Sequence, residues 1–156
     1  MTNWRKTAAL CAALSLLGVA ESRAESIAAS EAPTIAIVSP APGSAVALGD
    51  DAGKSVAVKI AVTNFTIRPV GQCAGIANCG HVHLKIDHPS DACNAPNSGG
   101  NSTNGDTGGD SIVAYFGFCP TPRGEHVVVV ALAKDDHSFF LVDGKPVTAI
   151  VKVSAK

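Results

Sequence analysis

The residues best suited to chemistry in this chain are its five histidines, at positions 81, 83, 88, 126 and 137. His81-Val82-His83 is the sharpest pair. On an extended strand residues i and i+2 share a face and lie about 7 Å apart along the chain, so two imidazoles at that spacing can turn toward one ion. Asp135-Asp136-His137 places two carboxylates and a third imidazole in one short turn. Imidazole with carboxylate suits Zn(II), Cu(II) or Ni(II), and affinity order alone favours Cu(II). The only methionine is Met1, so a processed chain has no thioether, and paired cysteines would remove the thiolates as well. That disfavours Cu(I), which wants soft ligands. The expected metal set is therefore His81, His83, His137 and Asp135, with His126 as a further member and Zn or Cu as the ion. Nucleophilic or phosphoryl-transfer chemistry finds no support: there is no G-x-S-x-G elbow and no P-loop. No element presents a convincing carboxylate pair, and the expected chain is not an enzyme.

The compartment follows from the N-terminus and the cysteines. Arg5 and Lys6 precede an apolar stretch from Ala8 to Ala20, and Ser22-Arg23-Ala24 ends in small residues at −3 and −1. Residues 1–24 read as a secretory signal peptide. The apolar run is too short to span a hydrocarbon core of ~30 Å as a stable anchor, so no membrane span is expected in the mature chain. Removing Arg5, Lys6, Arg23 and Glu21 from 12 basic and 13 acidic residues leaves 9 and 12, a net charge of −3. A nucleic-acid binder that relies on a basic surface is excluded. Cys11 leaves with the signal, and Cys73, Cys79, Cys93 and Cys119 remain. An even count in an exported chain implies two disulfides with three possible pairings. Nearest-neighbour pairing, Cys73–Cys79 and Cys93–Cys119, is favoured: the first closes a tight loop and the second ties a long loop to a strand end.

The histidines need a frame, and the hydropathy pattern supplies one with a period of two. With 156 residues, 46% hydrophobic and 16% charged, the chain has material for one folded domain and is not globally disordered. After a flexible leader at 25–33, the sandwich domain is expected over 34–156. Strands are predicted at 34–38, 44–48, 55–63, 81–87, 111–118, 126–133, 139–142 and 147–154. In Ser55–Thr63 the residues Val56, Val58, Ile60 and Val62 alternate with polar or small ones. Val82, Leu84 and Ile86 face one side of the next strand, and His81, His83 and Lys85 the other. The 126–133 strand is apolar on both faces and is expected to be central and covered on both sides. A loop rich in Gly, Asn and Ser covers 88–110. Its Asn104, Asp106 and Asp110 could ligate calcium, but EF-hand spacing and the terminal Glu are missing. Asn64-Phe-Thr66 and Asn101-Ser-Thr103 match the glycosylation sequon.

About seven short strands with frequent turns and no convincing helix imply an all-β, immunoglobulin-like β-sandwich. In that topology the third and sixth strands are neighbours, here 81–87 and 125–133. Antiparallel pairing puts His81 and His83 beside Asp135, Asp136 and His137, and puts His126 near Asp87 and His88 at the opposite end.

Gly80-His81-Val82-His83-Leu84, Gly124-Glu125-His126 and Asp135-Asp136-His137 resemble segments of small exported bacterial domains with a Gly-His-x-His-Leu strand. Ile37-Val38-Ser39-Pro40 and Asp143-Gly144-Lys145-Pro146-Val147 extend the likeness over most of residues 34–154. The resemblance implies an immunoglobulin-like exported domain and carries no activity with it. His81-Val82-His83 is also similar to the histidine pair on a strand of copper/zinc superoxide dismutase. The zinc-loop histidines and the late glycine-rich segment with its arginine have no counterpart here, so dismutase activity is not implied.

These readings converge on a periplasmic or secreted, non-enzymatic sandwich that binds a divalent transition metal through strand histidines. The alternative is an adhesion or interaction module without metal, contacting an envelope protein through loop 88–110. The sequence does not set an oligomeric state.

Overall fold

Ten strand segments are laid down in chain order: β1 (Thr34–Ser39), β2 (Ala45–Val46), β3 (Ser55–Thr63), β4 (Thr66–Ile67), β5 (Cys79–Ile86), β6 (Ser111–Tyr115), β7 (Gly124–Ala133), β8 (Leu141–Val142), β9 (Lys145–Pro146) and β10 (Thr148–Ala155). They come from a computed structural model that describes residues 31–102 and 108–156. The predicted signal peptide 1–24, most of the leader and the calcium candidates Asn104 and Asp106 lie outside the described residues. Among the described residues the helical content is a 3₁₀ turn at Phe116–Phe118.

One sheet has the order β1-β3-β6 and the other β2-β10-β7-β5-β4, with β8 and β9 forming a separate hairpin. Both long sheets are mainly antiparallel; only the two-residue edge segments β2 and β4 pair in parallel, with β10 and β5. Very short edges present few unpaired peptide groups to another chain. The period-two pattern buries one side of each sheet between them. Val58, Ile60, Ile112 and Ala114 meet Val82, Leu84, Ile86, Val128, Val130, Leu132, Val151 and Val153 in one core, closed by Phe116. This is the immunoglobulin-like sandwich expected from the alternation, with β-branched side chains filling a pleated interior.

Several elements differ in extent. The stretch expected at 44–48 contracts to Ala45–Val46, and the strand expected to reach 118 ends at Tyr115, where the chain turns into the 3₁₀ segment. Thr66–Ile67 adds a two-residue strand that is too short to show a period in the sequence. The 126–133 strand is central, between β10 and β5, yet it is covered unevenly. Its inward residues Val128, Val130 and Leu132 are buried, whereas the outward Val127 and Val129 are half-buried. At the end of β7, cover on the outer face comes from the 134–146 segment, which bridges back from Phe139 to Ala133.

The disulfides join Cys73 to Cys79 and Cys93 to Cys119, the nearest-neighbour pairing. The second anchors the long loop after β5. That loop is not a free surface excursion, because Asn101 is fully buried within it. The Asn101 Nδ2 donates to the carbonyl oxygens of Cys93 (2.5 Å) and Tyr115 (3.0 Å), and its Oδ1 accepts from the Tyr115 N–H (2.6 Å). A glycan on Asn101 is incompatible with this burial, which removes one of the two sequon readings.

Candidate metal centre

The strands β5 and β7 are antiparallel, with His81 opposite Ala133 and His83 opposite Ala131. That register carries the chain out of β7 directly beside the start of β5. The turn that follows is closed by the His137 N–H donating to Lys134 O and the Lys134 N–H donating to Ser138 O, both at 2.9 Å. His137 takes a left-handed backbone (φ 63°), an uncommon state for a residue with a Cβ. The turn folds the imidazole back over the outer face of β5. Here backbone strain accompanies a cluster of potential ligands, a frequent association at functional sites.

Three ring nitrogens converge. His81 Nε2 lies 2.8 Å from His83 Nε2, which lies 3.2 Å from His137 Nδ1. All three ligand atoms fall within 4.8 Å of one another. A tetrahedral zinc ion with Zn–N bonds of 2.0–2.1 Å separates its nitrogens by about 3.3 Å, so the group needs only a small spread to close on an ion. His81 is fully buried on the outer face, His83 is half-buried and His137 is exposed. The three rings also pack on each other, with His81–His137 centroids 4.8 Å apart and the His83 and His137 rings stacked at 5.4 Å.

Gly80 makes the approach of β5 possible. A Cβ at that position would lie 1.9 Å from the carbonyl oxygen of Ala133, well inside contact distance. The glycine before His81 therefore has a steric reason: any side chain would push β5 away from the strand that delivers His137.

Two other expected members of the set sit elsewhere. Asp135 Oδ2 accepts from the Cys73 N–H at 3.1 Å, tying the Cys73–Cys79 loop to the turn, and its carboxylate does not join the three-histidine group. Its neighbour Asp136 accepts from the Ser138 hydroxyl (2.6 Å) and N–H (2.9 Å), and these bonds hold its carboxyl below the ordinary aspartate value. His126 faces the core. Its Nδ1 is 2.7 Å from Asp87 Oδ2, its ring packs edge-on to Phe116, and Asp87 Oδ1 accepts from the Val127 N–H at 2.9 Å. Strand parity explains the separation. Outward β7 residues such as Ala131 and Ala133 are paired with His83 and His81, so even-numbered His126 must point inward with Val128 and Val130. Asp87, His126 and Cys119 form a second group of potential ligands, but Cys119 is spent in its disulfide with Cys93. His88, at the other end of β5, is exposed.

The donor set is thus three imidazole nitrogens, with the four cysteines of the described residues all in disulfides. Neutral imidazole suits Zn, Cu or Ni in the divalent state. Beside the site a cleft of about 470 Å³ runs between His83 and His137 on one side and the 97–102 segment on the other. Sequence reasoning did not reach this wall. Nothing in the Gly- and Ser-rich composition of the loop says that Asn101 turns inward to hold it.

No protein-family model and no curated protein matches the chain. Among solved structures, it is similar to the endo-beta-1,4-mannanase from Thermotoga petrophila, with 12% identity and a TM-score of 0.41, over 81% of this chain and 20% of that one. It is also similar to the fibronectin(III)-like modules of Clostridium thermocellum CbhA, with 12% identity and a TM-score of 0.37, over 79% of this chain and 96% of that one. Neither likeness bears on function.

Proposed function

We propose that this chain is an exported, non-enzymatic β-sandwich that holds one divalent transition metal ion, Zn(II) or Cu(II), on His81, His83 and His137, for holding, delivery or sensing in the cell envelope. The convergence of three imidazole nitrogens from two separate chain segments carries the reading. A His-x-His pair alone is an ordinary polar strand face. A third imidazole brought in by a strained turn, with one ring fully buried, is a specific arrangement. Export is supported by the two disulfides, which persist in oxidising compartments. No helix among the described residues is long and apolar enough to cross a membrane.

The test is a titration of the oxidised protein with Zn(II), Cu(II) and Ni(II), read by native mass spectrometry. One ion per chain is expected at micromolar or tighter affinity, lost in His81→Ala/His83→Ala. Because His81 is buried, His137→Ala serves as the second variant: it removes an exposed ring and leaves the core untouched. Binding to either variant as tight as to the parent refutes the reading. A metal-free interaction module presenting loop 88–110 is the second reading, favoured by the anchorage of the 93–101 part of that loop through Cys93–Cys119 and Asn101. Its partner would be an envelope protein.

A further inference from the structure

We propose that the ion held by His81, His83 and His137 keeps one exchangeable coordination position, opening into the cleft beside residues 97–102, and that this position takes a small monodentate anion. The inference rests on the metal reading and adds a ligand class to it.

The burial gradient across the three rings sets the direction. His81 is 0% exposed and forms the floor, with the protein interior behind it. His83 and His137, the two accessible rings, both line the cleft. An ion seated on all three nitrogens therefore meets protein on the His81 side, and a further donor reaches it from the cleft. Three protein ligands with a fourth, open position is the arrangement of exchangeable rather than closed structural sites.

Charge selects the class of donor. Three neutral imidazoles leave the charge of a divalent ion uncompensated. Neither nearby carboxylate belongs to the group of converging ligand atoms: Asp135 Oδ2 accepts from the Cys73 N–H and Asp136 Oδ1 from Ser138. An anion that enters the cleft and binds the ion directly gains the Coulomb attraction of a divalent charge at bonding distance. A neutral donor gains much less.

The wall selects size. It is built largely from Asn97, Ser98, Gly99 and Gly100, with the Gly100 N–H donating to the Ser98 hydroxyl at 3.2 Å. No heavy atom lies within 4 Å of where a Gly99 Cβ would be, and this glycine needs no left-handed backbone. Gly99 is thus a position where a large side chain can be added to obstruct the cleft without displacing the strands that carry the ligands.

The test uses the oxidised protein loaded with Cu(II), with azide as the probe. Copper content is measured first, and azide is then titrated while the azide-to-copper charge-transfer band and the electron paramagnetic resonance spectrum are followed. The expected result is one copper per chain and a saturable new band, as azide enters the position that solvent otherwise fills. Gly99→Phe should keep the copper stoichiometry and weaken azide binding about tenfold or more through steric exclusion. Gly99→Leu should give a smaller loss, with circular dichroism confirming that both variants fold. If copper binds and azide produces no band, the exchangeable position is refuted while the metal reading stands. If azide binds the parent and both Gly99 variants equally, the position does not open into this cleft. If no copper binds at all, the metal reading itself fails, and the copper measurement records that separately.

Discussion

Replacing Asn101 tests whether the long loop is a held wall or a loose excursion. Its side chain is fully buried and makes hydrogen bonds of 2.5, 3.0 and 2.6 Å to Cys93 and Tyr115, while its backbone N–H donates to Leu84 O at 2.8 Å. Asn101→Ala removes the acceptor of the Tyr115 N–H and the donor to two carbonyl oxygens. Each lost hydrogen bond is worth about 1 kcal/mol net, and a buried peptide group that loses its partner costs about 1–3 kcal/mol. Water entering the vacated space recovers part of this. The expected loss is about 3–5 kcal/mol, a large fraction of the roughly 5–15 kcal/mol that stabilises a typical domain. Asn101→Asp keeps the shape and the acceptor but turns a carboxylate oxygen toward two carbonyls, so at neutral pH it should destabilise at least as much. The assay is urea unfolding of the oxidised chain. With a slope of roughly 1–3 kcal/mol/M, the alanine midpoint should fall by about 1 M or more at unchanged slope. A loss under about 1 kcal/mol in both variants would show that the amide network contributes little, and the cleft wall would then need another source of order.

Four further outcomes are expected. Zinc at 100 times its dissociation constant should stabilise the chain by about 2.7 kcal/mol, a gain that thermal unfolding should no longer show in His137→Ala. Gly80→Ala should destabilise the sheet and weaken metal binding together, because its Cβ would meet Ala133 O at 1.9 Å; an unchanged melting temperature and affinity would contradict that contact. Removing Cys93–Cys119, with a sequence separation of 26, should cost more stability than removing Cys73–Cys79, with a separation of 6. Loop entropy gives about 3.5 against about 2.2 kcal/mol, and paired Cys→Ala variants in urea would check the order. The Ser55 hydroxyl, donating to Asp51 at 2.8 Å, and the Ser55 N–H hold the Asp51 carboxyl below its ordinary value. A lowered folded-state value contributes stability above the unfolded aspartate value of about 3.9, and the contribution is lost as pH falls through the folded one. The stability difference between the parent and Ser55→Ala should therefore shrink in acid, as melts from neutral to acidic pH would reveal.

What could be read along the chain was whatever a local period expresses. Alternation assigned Val58, Ile60, Val82, Leu84 and Ile86 to the interior and put His81 and His83 together on the other face, because successive side chains of a strand must alternate. The same rule holds for the core-facing β7 residues Val128, Val130 and Leu132, and counting by twos from them already turns His126 inward. The parity is present in the sequence: His126 shares a face with Val128 and Val130, opposite the face that Ala131 and Ala133 share with His83 and His81. The neighbouring, antiparallel placement of β5 and β7 came from fold-level topology, and the observed register agrees with it. Three things depended on tertiary structure. Asp135 is a carboxylate beside a histidine in sequence, yet a peptide N–H across the Cys73–Cys79 loop claims it. Asn101 sits in a stretch whose composition reads as solvated loop, and it becomes core because its amide reaches the peptide groups of Cys93 and Tyr115 at hydrogen-bond distance. The burial of His81, and with it the direction in which a bound ion would be open, follows from how the 134–138 turn folds back over the sheet. Side-chain direction along a strand is set by covalent geometry and is written in the sequence; which polar group meets which across the fold is set by packing between distant segments, and no local pattern encodes it.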